Sequence, residues 1–405
     1  MRFAHLADVH IGAWRDTRMK QKVIEAFCAA MQRIKDEHLD FVIIAGDLFH
    51  TALPPIDHIR IVVQQLRALK DTGIPVYVIA GSHDYSPGGK TMLDVLEEAR
   101  LVTNVMRGTV EDKKLHLRFT QDPKTGAKLC GIIGKAGMLD QRYYEMLDRS
   151  PLEVEGGAKI FLFHTAITEF TPEDFKDMKM MPLSYLPKGF DYYAGGHVHY
   201  RYTADMGSAK LVFPGPVFPA NFKELEDLQH GSFVLVDDGK PEVIPIPGNP
   251  VISISVDLTG KTVPVIQEEM AAQAKGVQDA IIAIRLTGRL HEGRLSDIDL
   301  KGFIDELYER GAYFVMRNTS GVQLDSFEAV RVDASSKETI ERRIIEEHAE
   351  REGFAGADDK AALIVEMMQS LAQEKDEAEK TADFEERTVH DAYSVVERHL
   401  NETFK

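Results

Sequence analysis

The chain has 405 residues, more than one hydrophobic core usually serves, so a large domain with one or two smaller units is expected. No stretch approaches the roughly 18 unbroken apolar residues of a spanning helix, the start MRFAHLADVH lacks the marks of a secretion signal, and Cys28 and Cys130 are too few for a disulfide framework or a thiolate metal site. The net charge of −17 argues against an anionic partner, but residues 336–405, with 19 acidic and 10 basic side chains, hold over half of that surplus, which weakens the objection.

Apolar runs end one after another in short polar motifs: MRFAHLA in DVH, FVIIAG in DLFH, VYVIAG in SHD, KIFLF in HTA and DYYAGG in HVH. Helices are expected between the first three runs, at 18–37, 56–69 and 90–99, giving the βαβ alternation of a helix-covered sheet whose strands are buried on both faces. After Arg100 the pattern changes to shorter strands with turn signals, in KLHLRF, DPKTG, KLCGIIG and GSFVLVDDG, which predicts a second sheet. Past the Pro-rich PEVIPIPGNP, strands in VISISVDL, AIIAIRLTG and YFVMRNTS alternate with helices near 265–274 and 297–310, as in a small separate α/β domain. Beyond Asp333 only helical patterns remain. Leu363, Ile364, Met367, Met368 and Leu371 form one apolar stripe and Val389, Tyr393, Val396 and Leu400 another, so these helices call for a partner surface. The expected division is 1–245, 250–333 and 336–405.

The chemistry lies at the strand ends. Asp8 and His10 follow the first strand, Asp47 follows a glycine at the second, and His83 with Asp84 follows a glycine at the third; His164, His197 and His199 complete the set. Ligands of open α/β sheets bind outside the carboxyl ends of strands, so five such ends carrying Asp or His point to one site. A donor set of imidazoles and carboxylates suits manganese, iron or zinc, with manganese the first expectation. Two such ions 3.5 to 4 Å apart would lower the pKa of a bound water and clamp the attacking and leaving oxygens of a phosphoryl group.

The order DVH, GDLFH, GSHD, FHT, GGHVH resembles the motifs of the calcineurin-like metallophosphoesterases, α/β proteins built as a double-sheet sandwich flanked by helices. MRFAHLADVHIG, IIAGDLFH and FPGP, with the small α/β cap domain and the C-terminal helical segment, make the likeness closest to SbcD and Mre-eleven nucleases. It covers nearly the whole chain. The resemblance implies Asp8, His10, Asp47 and His199 around one metal, and Asp47, Ser82, His164 and His197 around the other, with Asp47 as the bridge. It also implies that His83 stands beside the scissile phosphate as a general acid. Asp84 is expected to orient the His83 imidazole through its other nitrogen, and His50 to approach the nucleic acid. Where the family carries Asn, this chain has Ser82, whose shorter side chain predicts a weaker second metal.

The resemblance further implies double-strand 3′-to-5′ exonuclease and single-strand endonuclease activity on DNA, in double-strand-break repair. It implies a homodimer through the early helices near the third motif, and an SbcC- or Rad-fifty-like ABC-type ATPase docked on the C-terminal helices. The location implied is the cytoplasm of a prokaryote, an archaeon by its compact organisation. Two other readings compete: a phosphatase or cyclic-nucleotide phosphodiesterase with the same metals, and a non-catalytic scaffold that binds DNA ends, with Ser82 as the mark of a decayed site.

Overall fold

The structure is a computed structural model that describes residues 1–85, 91–135, 139–171, 180–290, 295–324, 360–373 and 381–399. The chain divides into two units, Met1–Gln323 and Leu324–Lys405. The first begins with β1 (Arg2–Leu6), α1 (Thr17–Asp36), β2 (Phe41–Ala45), α2 (Ile56–Asp71), β3 (Val76–Ile79), α3 (Met92–Glu98) and β4 (Thr103–Asn104). There follow β5 (Gly108–Glu111), β6 (Lys114–Leu117), β7 (Thr120–Gln121), β8 (Lys128–Gly131), α4 (Gln141–Met146), α5 (Ser150–Val154) and β9 (Lys159–His164). Then come β10 (Tyr192–Gly196), β11 (Arg201–Met206), β12 (Ala209–Pro214), α6 (Phe222–Leu228), β13 (Ser232–Asp237) and β14 (Lys240–Pro245).

These strands make two six-stranded sheets, ordered β14-β13-β1-β2-β3-β4 and β11-β12-β10-β9-β8-β7, with β5 and β6 as a separate hairpin. In the first, β1 to β4 run parallel; in the second, β8, β9, β10 and β12 do. Successive strand side chains point to opposite faces, and β2 shows the consequence. Phe41, Ile43 and Ala45 join the layer between the sheets, facing Leu129, Ile160, Leu162, Tyr192 and Val212 of the other sheet. Val42 and Ile44 instead meet Phe27, Ile34, Leu66 and Leu93 from the covering helices. Both faces are dry, which is why the run is apolar throughout; each large side chain so buried stabilises the fold by about 1.5–3 kcal/mol. Phe161 and Phe163 of β9 point the other way, into an outer cluster with Tyr144 of α4 and Leu152 of α5.

Two expectations are corrected here. The strand in KLHLRF, β6, pairs with β5 in the separate hairpin and does not join the second sheet. The strand in GSFVLVDDG does not join the second sheet; β13 returns to the first and lies antiparallel to β1, pairing Arg2 with Asp237 and His5 with Val234. The apolar run of β13, buried on both faces from Ser232 to Val236, records that the strand is covered, not which neighbour it pairs with.

The rest of the first unit is β15 (Val251–Asp257), α7 (Val263–Gln273), β16 (Ile281–Leu290), α8 (Leu300–Glu309) and β17 (Phe314–Leu324). The three strands form a sheet in the order β15-β16-β17, with a core of their own from Ile254, Val256, Ile282, Ile284, Ile266, Met270 and Leu307. Contacts at two places, α6 and α1, tie this subdomain to the large one. Arg285 of β16 pairs with Glu226 of α6, and the Arg18 guanidinium of α1 lies 4.9 Å from the Phe314 ring.

In the second unit, α9 (Lys360–Leu371) and α10 (Thr381–His399) pack against each other through buried Leu363 and Val395, and Glu366 pairs with Arg398 and His399. Met368, Leu371, Val389 and Tyr393 of the expected stripes remain exposed. Leu400, the expected boundary at 333–336 and the helical pattern before 360 lie outside the described residues. Among the described residues no helix is long and apolar enough to cross a membrane.

Candidate metal centre

The carboxyl ends of β1, β2 and β3 from one sheet meet those of β9 and β10 from the other. Asp8 and His10 follow β1, Asp47 follows β2, and Ser82, His83 and Asp84 follow β3; His164 closes β9, and His197 and His199 follow β10. The backbone leaves strand geometry abruptly at these points. Asp8, His10, Asp47, His197 and His199 all have positive φ, between 48° and 90°. That region costs an L-residue roughly 1–2 kcal/mol, and a cluster of such residues is a mark of a functional site. The departure takes Asp8 and His10 out of the strand's alternation and brings both to one cleft. Two glycines make room: a Cβ on Gly46 would collide with the His164 ring, and one on Gly81 with the Asp47 carboxylate.

Among the described residues, three sets of ligand atoms lie within 4.8 Å of one another: Asp8, His10 and His199; Asp8, Asp47 and His164; and His10, His50 and His83. His164 Nε2 is 3.1 Å from Asp47 Oδ2, which is also 3.5 Å from His10 Nε2. His199 Nε2 is 3.7 Å from Asp8 Oδ1 and 2.9 Å from His10 Nε2. His197 belongs to none of the tight sets. Its ring meets that of His164 edge-on at 5.2 Å, and its backbone N–H donates to both Asp8 oxygens.

Hydrogen bonds on the far side of the rings fix their tautomers, and this tests whether cations fit. His164 Nδ1 is 2.8 Å from the Ala45 carbonyl oxygen and His199 Nδ1 is 2.8 Å from Glu224 Oε1, so in each ring the Nδ1 hydrogen donates outward. In a neutral ring, Nε2 then presents a lone pair to a carboxylate. Acceptor facing acceptor is unfavourable unless a positive charge, a proton or a metal cation, lies between. Imidazoles oriented in this way by a carbonyl or carboxylate are the usual arrangement of metal-binding histidines. The donor set therefore fits divalent ions.

The protonation preferences say the same. Burial opposes charge on His164 and His199, but for His164 the charge and hydrogen bond of Asp47, and for His199 the charge of Asp8 with the Glu224 hydrogen bond, raise their pKa to about 10 and about 9. Burial likewise pushes Asp47 up, yet His164, His10 and His83 hold it well below the ordinary carboxylate range. His197, half-buried and beside His164, is lowered to about 3 by desolvation and by the neighbouring imidazole.

The motif-three loop differs from expectation. His83 Nδ1 lies 2.9 Å from the His50 carbonyl oxygen, so His50, not Asp84, orients the imidazole, and the two rings stack at 4.9 Å. The buried Asp84 carboxylate instead accepts from the backbone N–H groups of Leu48, Phe49 and Gly81, stapling the second and third motif loops together. Burial and the charge of Asp47 raise its pKa to about 7. Ser82 sits half-buried in the same turn, whose next N–H, from His83, donates to Asp47 Oδ1 at 2.8 Å. Glu224 is the residue that the motifs did not disclose. Its sequence setting, Asn221 followed three residues later by Glu, signals a helix start, and nothing in that pattern points to a histidine 25 positions earlier.

The two facing sheets, with carboxylates and imidazoles gathered at their carboxyl edge, define a metallophosphoesterase site. Residues 1–201 match the calcineurin-like phosphoesterase family, so the chain carries a calcineurin-like metallophosphoesterase domain. Within that class it is similar to archaeal proteins named DNA double-strand break repair protein Mre11. The Methanopyrus kandleri protein is 27% identical over 244 residues, 56% of this chain and 51% of that one. The Methanococcus maripaludis protein is 30% identical over 217 residues, 53% and 55%, and that of Sulfolobus acidocaldarius 26% over 303 residues, 71% and 75%. The chain spans about half the length of the first two relatives.

Proposed function

We propose that the chain is a two-metal phosphodiesterase that cuts DNA, in the manner of an end-processing repair nuclease. The observation that carries this reading is the placement of Asp47 Oδ2 within 3.5 Å of imidazole nitrogens from both sides of the cleft, with Asp8 shared between two ligand sets. Asp8, His10, Asp47 and His199 would hold one ion and Asp47, Ser82, His164 and His197 the other, with manganese the preferred metal. When bound, the ions supply an activated water and relieve the negative charge of the phosphodiester. The ligand residues contribute a fixed frame: Asp84 and the His83 N–H lock the motif loops to Asp47 before substrate arrives.

His83 is the proton donor of this scheme. With Nδ1–H donating to the His50 carbonyl, the imidazolium form of His83 would give its Nε2 proton to the leaving oxygen and be left as the neutral Nδ1–H ring, held in place by the His50 ring stacked on it. The 250–333 region would act as a cap that limits which DNA ends enter. Exposed Ile56 at the start of α2 and Val95 on α3 suit a homodimer contact beside the third motif. The exposed apolar residues of α9 and α10 suit docking on an SbcC- or Rad-fifty-like ATPase; deleting the residues after Asp333 is expected to abolish that binding and any ATP dependence of cleavage.

The test is degradation of end-labelled duplex DNA in millimolar manganese. His83→Ala is expected to lower turnover by about 10²–10⁴-fold, and Ser82→Asn to reduce the metal concentration needed. Retained DNA binding without cleavage by the unaltered chain, with or without its ATPase, would favour a scaffold. Hydrolysis confined to small phosphoesters would favour a phosphatase or cyclic-nucleotide phosphodiesterase.

A further inference from the structure

Helix α6 stands between the metal centre and the small subdomain, and different side chains of its seven residues serve each. On one side, Glu224 Oε1 accepts from His199 Nδ1 at 2.8 Å while its Oε2 accepts from the Ala220 N–H. On the other, Glu226 takes the Arg285 guanidinium of β16 through both carboxylate oxygens, and the Phe222 ring lies 4.9 Å from the same guanidinium. Residues two apart on a helix do not share a face, so Glu224 and Glu226 look in different directions from one rigid turn. The helix is pinned from below by buried Leu225. The segment leading into it is tied to the first motif: Trp14 Nε1 donates to the Pro219 carbonyl oxygen at 2.9 Å, and Ala7 bridges Pro216.

We infer that Glu224 is a positioning residue for His199, and that α6 couples the placement of the small subdomain to the strength of the ion held by Asp8, His10 and His199. The inference rests on the metal reading above. Glu224 does more than cap its helix. Its carboxylate accepts locally from the Ala220 N–H at Oε2 and from Asn221 Nδ2 at Oε1, and the further bond from His199 Nδ1 to Oε1 fixes which ring nitrogen carries the hydrogen and hence which one faces the cleft. A shift of β16 moves Arg285, and with it the helix that holds Glu224. The partner half of the cluster has no such route, because His164 is oriented by the main chain at Ala45.

The experiment is calorimetric titration of the metal-free full chain with Mn²⁺, with Co²⁺ absorption as a spectroscopic readout that needs no turnover. The unaltered chain is expected to bind two ions. Glu224→Ala is expected to weaken one of them by about 10- to 100-fold and to change the Co²⁺ spectrum of that ion alone, while Glu224→Gln, which keeps an acceptor for Nδ1–H, stays within about threefold. Arg285→Ala, which touches no ligand, is expected to weaken the same ion by about three- to tenfold. Unchanged affinities and spectrum in Glu224→Ala would overturn the positioning role. A weakened Glu224→Ala beside an unchanged Arg285→Ala would overturn the coupling, and should Glu224→Ala not fold, Arg285→Ala decides alone. An unaltered chain that binds no divalent ion would remove the metal reading itself, an outcome distinct from either.

Discussion

His164 and His199 flank the same pair of carboxylates, yet they are held in different ways. His164 is fully buried, oriented by the main-chain carbonyl of Ala45 at the end of β2, and walled by glycines whose side chains would have no room. His199 keeps about a fifth of its side chain exposed and is oriented by Glu224, a side chain on a short helix that also grips the small subdomain. One half of the proposed metal centre is therefore set by sheet register and can move only if the sandwich does. The other half is set by a side chain on a helix that is seated on the core through Leu225 and also contacts the small subdomain. The coupling inferred above thus predicts that only the ion on the His199 side responds to the placement of the small subdomain.

The strongest way to break this comparison is at the group both halves share. Asp47→Ala should lose both ions and reduce phosphodiester cleavage to background, read by titration and by the DNA assay; loss of one ion alone would remove Asp47 as the bridge. A more selective break is Gly46→Ala. With φ at +92° and the His164 ring in the way, it should destabilise the fold by roughly 1–3 kcal/mol and weaken the ion at His164, leaving the His199 side nearer its original affinity. Equal weakening of both would show that the halves are not independent.

A further effect, on stability and not on the ions, is expected beneath the cluster. His5, buried between the sheets with Nδ1 3.0 Å from the Tyr192 hydroxyl, is kept neutral by burial, which lowers its pKa to about 3. The unfolded chain takes up a proton below about 6.5 and the folded chain does not, so stability should fall as pH drops from about 6.5 towards 3. His5→Leu, measured by thermal unfolding, should flatten that acid limb while leaving its own cost at neutral pH; an unchanged limb would assign the acid sensitivity elsewhere.

The residues that gather at the cleft were legible because buried parallel strands read as apolar runs, and each run ends where a polar residue is affordable only for a purpose. Asp8 with His10 would be a weak signal alone; five strand ends in order that carry Asp or His mark the site. The partners that orient them were not legible. The His50 carbonyl that orients His83 is a main-chain group with no sequence signature, Asp84 serves three backbone N–H groups from two loops, and Glu224 reaches His199 only because α6 folds back over the first motif. The return of β13 to the edge of β1 was hidden for a related reason: its apolar run shows that it is buried, not which strand it pairs with.

The most direct test of the central claim follows Mn²⁺ binding and cleavage of end-labelled duplex DNA in the same samples of metal-free chain. The account predicts two ions per chain, with cleavage appearing as the weaker one binds. Cleavage that proceeds in chelator, or two bound ions with no phosphodiester of any kind hydrolysed, would contradict it.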